Sequence, residues 1–141
     1  MTEHADPFTA PDPAQTRQQR EITALFRITE RHANNEARRR WDDHGLPMGP
    51  FDAVQRITVL AGGSEQPEEG EPPVEDADVM AALTLAPRAR AELDALEASL
   101  LEMAKGRGMT WQQIAFGLGL GTPQAARQRY ERLVGRTAAS R

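Results

Sequence analysis

Two glutamines and two arginines near the C-terminus, Gln124, Arg127, Gln128 and Arg132, are the residues of this 141-residue chain whose types and spacing match a defined chemistry. A glutamine amide offers a donor and an acceptor side by side, which suits the edge of adenine in a DNA major groove; arginine does the same for guanine or holds a phosphate. With Ala126 as reference, steps of 100° along a helix put Tyr130, Leu133 and Val134 on one side. Gln124, Gln128, Glu131 and Arg132 fall on the other, with Arg127 flanking them. Thr122 is suited to cap the start of that helix, where free N–H groups and a partial positive charge favour a phosphate. The candidate DNA-contacting set is therefore Thr122, Gln124, Arg127, Gln128 and Arg132, whereas Arg129 lies nearer the packed side and is suited to bracing the fold.

Such a set has to be carried on rigid elements, and the preceding residues spell a helix, a turn and the second helix. Thr110 can cap a short helix from Trp111, in which Ile114 and Leu118 face inward and Ala115 leaves room for a close crossing. Gly119 ends it, Leu120 anchors the turn, Gly121 permits an unusual backbone angle, and Pro123 sits where a missing N–H costs least. Upstream, Pro87 favours the first turn of another helix whose expected buried stripe is Ala89, Leu93, Leu96, Leu100 and Met103, stopped at Gly106. This gives an all-α fold ending in a three-helix helix-turn-helix module over residues 77–136, with a tail at 137–141.

The first half reads as helical too. Residues 1–14, with Pro7, Pro11 and Pro13, form an arm without a periodic apolar face. Ile22, Leu25, Phe26, Ala33, Ala37 and Trp41 predict one long amphipathic helix from Gln15 to His44. After the Gly45–Pro50 break, Phe51, Val54, Ile57 and Leu60 predict a second, making an N-terminal helical hairpin over 15–62. Residues 63–76 hold three prolines among acids and little apolar surface, the signature of a disordered acidic linker.

The stretch TWQQIAFGLGLGTPQAARQRYERL resembles the C-terminal helix-turn-helix of small actinobacterial DNA-binding regulators, including proteins labelled small heat-shock-protein transcriptional regulators. The likeness is carried over residues 109–134 by Trp111, Ile114-Ala115, Leu118-Gly119, Gln124-Ala125-Ala126, Arg129-Tyr130 and Leu133. It implies DNA binding through the second helix and says little about residues 1–62. The turn is one residue longer than the shortest such pattern, which leaves the base-contacting positions open by one place.

Charge and composition narrow the alternatives. The net charge is −4, but the acids crowd between Gly62 and Glu102, and from Gly106 onward six arginines face the single acid Glu131. No cysteine is present, which removes disulfides and thiolate zinc sites and suits a reducing compartment, so a cytoplasmic, nucleoid-associated location is expected. No segment approaches the about 18 apolar residues of a spanning helix, so no membrane is expected. Arg38-Arg39-Arg40 reads as a solvated face, and the i,i+4 pair His32 and Glu36 is too little for a metal site. Neither a phosphate loop nor a catalytic triad pattern occurs, so no cofactor and no enzymatic activity are expected. Two functions remain: a transcriptional regulator contacting double-stranded DNA, paired as a homodimer through the N-terminal helices, or an adaptor docking on transcription machinery through the same module.

Overall fold

The computed structural model describes residues 12–139, and all its regular structure there is helical: α1 (Pro13–His32), α2 (Asn35–His44), α3 (Pro50–Ala61), α4 (Asp76–Gly106), α5 (Trp111–Leu118) and α6 (Pro123–Ala139). Most of the expected N-terminal arm lies outside the described residues. Its last part is the start of α1, because Asp12 accepts the Ala14 N–H at 3.0 Å and Pro13 occupies the first turn. The expected tail is likewise shorter, since α6 continues to Ala139.

The chain divides into two units, one ending at Ala86 and one beginning at Pro87. The first is built on Ala24, Ile28, Met48, Ala53, Ile57 and Leu85. Its first departure from expectation is that the helix over 15–44 is broken. Ala33 is extended at ψ 137°, and Asn35 takes φ +48°, a left-handed conformation that asparagine tolerates better than most residues. The break lets α2 turn back so that Trp41 meets the edge of Phe26 at 5.3 Å between ring centroids. Thr29 secures the next segment: its hydroxyl donates to the Leu25 carbonyl at 2.7 Å and accepts the Met48 N–H at 3.0 Å.

Residues 63–76 are not a free linker. They form a strap held on the first unit by ion pairs, with Val74 packed against the core. Composition alone treats Glu65, Glu71 and Glu75 as solvated, but their cations are supplied from α1 and α3. Arg56, 5% exposed, donates to Glu65 and to Glu71, each at 2.8 Å, and to the His32 carbonyl at 3.1 Å. Glu71 also faces His32 Nδ1 at 3.0 Å, so with the carboxylate charged it is the Nδ1–H that donates.

Asp78, on the first turn of α4, is the most enclosed acid of this network. It accepts from Arg27 Nε at 2.8 Å, from Arg31 at 3.0 and 3.2 Å, and from the Glu75 N–H at 2.8 Å. His32 Nε2 stands 3.3 Å from Asp78 Oδ2 without the alignment of a hydrogen bond. Burial pushes the Asp78 carboxyl up, but the Glu75 N–H together with Arg31, His32 and Arg27 outweighs it and brings the pKa down to about 2. Glu71 moves the same way: burial raises it, and the Glu68 N–H, His32 and Arg56 lower it further. His32 is thus a fully buried member of a structural network with acids from the strap and α4.

Pro87 does not open a new helix. It lies inside α4, which runs unbroken from Asp76 to Gly106, with strong helix formers such as Ala82, Leu85, Ala86 and Ala89 on both sides offsetting the lost N–H. The second unit is built on Ala98, Leu101, Ile114, Ala115, Ala126 and Leu133. Of the expected buried stripe of this helix only Ala89 is buried. Leu93, Leu96, Leu100 and Met103 are 46–64% exposed, and the face carrying Ala98 and Leu101 turns inward instead. Both faces have helical periodicity; the small Ala98 allows the closer approach, which periodicity cannot report.

Candidate nucleic-acid interface

The site is assembled on α5, its turn and α6. Thr110 and Gln113 form a reciprocal cap: the Gln113 N–H donates to Thr110 Oγ1 at 3.1 Å, and the Thr110 N–H to Gln113 Oε1 at 2.9 Å. Gly119 closes α5 in the left-handed region at φ +72°, which a residue with a Cβ would enter only at a cost, and the Leu120 N–H returns to the Ala115 carbonyl at 2.8 Å. Thr122 then caps α6 by accepting the Ala125 N–H at 3.1 Å. Ala115 and Ala126, 3% and 0% exposed, sit where the two helices meet.

The roles expected for the α6 side chains divide as follows. Gln124, Arg127, Gln128 and Arg132 are all exposed, and at 100° per residue they share an arc of about 140°. Arg129 is instead a brace: its guanidinium holds Glu97 of α4 at 2.7, 3.1 and 3.2 Å, the two-pronged geometry that fixes orientation. On the same inner side Tyr130 tilts against Trp111 at 5.7 Å and its hydroxyl donates to Glu102 at 3.4 Å. Lys105 covers the other part of the Trp111 ring at 4.9 Å. α6 is thus clamped to α4 at several points while its outer face stays clear.

No family model, no curated protein and no solved structure matches the chain. The interface has to be read from its own side chains.

One of them works against an anion. Glu131 lies inside the arc, and its carboxylate pairs with Arg127 at 3.3 Å, both side chains being well over half exposed. The sequence places Glu131 on this face, but only the structure shows that it engages one of the candidate cations. A polyanion would have to compete for Arg127, and the acid would remain beside it. Glu131→Gln is expected to raise affinity for duplex DNA by about 3- to 10-fold at low salt, with the gain shrinking as salt screens the acid. Loss of the i,i+4 pair costs only about 0.3–0.5 kcal/mol, so circular dichroism should show an unchanged fold. Anisotropy titrations that show equal or weaker binding by the variant would remove Glu131 from the interface.

Sequence reasoning missed the residues that hold α6 in place. Glu97 and Glu102 of α4 both reach α6 partners about thirty positions away in the chain. A pairwise signal existed only in the excess of arginine on α6 over acid on that helix.

Proposed function

We propose that this chain is a sequence-specific regulator of transcription that inserts α6 into the major groove of double-stranded DNA. The observation that carries the reading is the exposed face of Gln124, Arg127, Gln128 and Arg132 on a helix capped by Thr122 and braced from behind by Arg129. Glutamines on that face read base edges; the arginines hold phosphates or guanine. In the first turn of α6 Pro123 has no N–H and Thr122 takes the Ala125 N–H, which leaves the Gln124 N–H to add a phosphate contact that needs no side chain. The resemblance of residues 109–134 to actinobacterial helix-turn-helix regulators points the same way, and a cytoplasmic, nucleoid-associated location belongs to the same reading. Among the described residues no helix is long and apolar enough to cross a membrane.

The test is fluorescence anisotropy of the full chain with a random pool of labelled duplex at low and at physiological salt. Binding that weakens steeply with salt is expected, because each phosphate neutralised releases counterion. Absence of binding at low salt would overturn the proposal. A protein adaptor is the second reading, favoured by the overall charge of −4 and by Glu131 in the middle of the face. Apolar docking of that kind would be nearly indifferent to salt.

A further inference from the structure

The second half of α4 carries more apolar surface than its own unit uses. Ala98 and Leu101 point into the core, while Leu93, Leu96, Leu100 and Met103 are 46%, 58%, 64% and 60% exposed. Their spacing of three, four and three residues is the seam of a two-helix packing, and none of the four positions is charged. Beside the seam opens a groove of about 680 Å³ within the second unit. Leu93, Leu96 and Leu100 line one side, Ile114 and Gly117 of α5 the other, and Met109, 38% exposed, also lines it.

We propose that this face seats a second copy of the chain, with α4 of each copy running antiparallel to α4 of the other about a two-fold axis that crosses the seam between Leu96 and Leu100, level with Ser99. Stripe and groove lie on the same face, so one patch is complementary to itself, which is what closure of a two-fold dimer requires. The area fits as well. At about 150–200 Å² for a fully exposed large apolar side chain, the exposed parts of Leu93, Leu96, Leu100, Met103 and Met109 amount to roughly 450 Å² per copy. With the polar side chains Asp94, Glu97 and Arg129 that line the groove beside them, this reaches the about 500 Å² per partner that a specific interface needs, in the range of apolar patches that serve a function on a protein surface. The centre of the patch is free of charge and its rim is charged, the usual anatomy of such an interface. The pairing stands independently of DNA binding.

Sedimentation of the full chain between low and high micromolar concentration should show a dimer. Leu96→Glu with Leu100→Glu should shift it to monomer, weakening association at least about 100-fold, since both side chains would sit at the centre of the interface. Because both are exposed in the isolated chain, circular dichroism should stay unchanged. A second measurement leaves the apolar face intact: the chain has no cysteine, so Ser99→Cys provides a single thiol close to the axis. A short bis-maleimide should join Ser99→Cys copies and should not join copies carrying Gln18→Cys on α1. A monomeric wild-type chain, a dimer that survives the double glutamate change, or crosslinking through position 18 and not 99 would each overturn the proposal.

Discussion

Asp78→Ala is expected to destabilise the first unit by about 3 kcal/mol, the low end of the range for removing one member of a buried ion pair. The carboxylate is fully buried and three cationic or ionisable side chains converge on it. Without it Arg27 and Arg31 share only the more exposed Glu75 carboxylate, and the Glu75 N–H that ties the strap to α4 has no partner. Arg27 and Arg31 are 33% and 25% exposed, so water recovers part of the loss, which is why the low end of the range applies. Asp78→Asn keeps an acceptor and removes the charge, so it should fall between wild type and alanine. Urea unfolding followed by circular dichroism measures all three. The pH dependence gives a separate check. The folded pKa of about 2 lies below the ordinary aspartate value of 3.8. The group therefore contributes stability above pH 4, which is lost as pH falls toward 2. Integrated over that window, the shift is worth about 2 kcal/mol. Glu71, also lowered, adds in the same direction. The alanine variant should show a shallower acid limb between pH 4 and 2, and identical limbs would mean that Asp78 is not held charged by this network.

The strap shows where sequence reading stops. Several caps and helix ends were legible because each depends on neighbours in the chain: Thr110 before Trp111, Thr122 with Pro123, Gly45 and Gly119 at helix ends. The break at Ala33–Asn35 and the passage of α4 through Pro87 were not. Whether Glu71 meets water or Arg56 depends on a chain reversal between them, which composition cannot see. The same limit applies to α4. Leu93, Leu96, Leu100 and Met103 form as good an apolar stripe as Ala98 and Leu101, and only the approach of α5 and α6 decides which face is covered. On α6 the local rule succeeded in separating outward Gln124 and Gln128 from the inward Ala126 and Leu133, because a seventeen-residue helix with one buried face has a definite outside. It also put Arg129 toward the packed side, though its partner Glu97 was out of reach.

Exchanging the two kinds of side chain on α6 should separate base reading from phosphate holding. On a duplex selected by the wild-type chain, Gln124→Ala with Gln128→Ala is expected to lower affinity about 10- to 100-fold, since a good two-pronged base contact is worth about 1–3 kcal/mol. Binding to random duplex should persist, and the slope of log affinity against log salt should hold, because the phosphates are still neutralised. Arg127→Ala with Arg132→Ala should do the reverse, weakening selected and random duplex together and reducing the salt slope by about one for each phosphate no longer neutralised. Arg127 should account for more of that weakening than Arg132. It pairs with Glu131, and its removal leaves an uncompensated carboxylate among the phosphates. Adding Glu131→Gln to Arg127→Ala should therefore recover part of the affinity without restoring the slope. If the glutamine pair leaves sequence preference intact and the arginine pair leaves the slope intact, α6 does not enter the groove, and its outer face belongs to a protein contact instead.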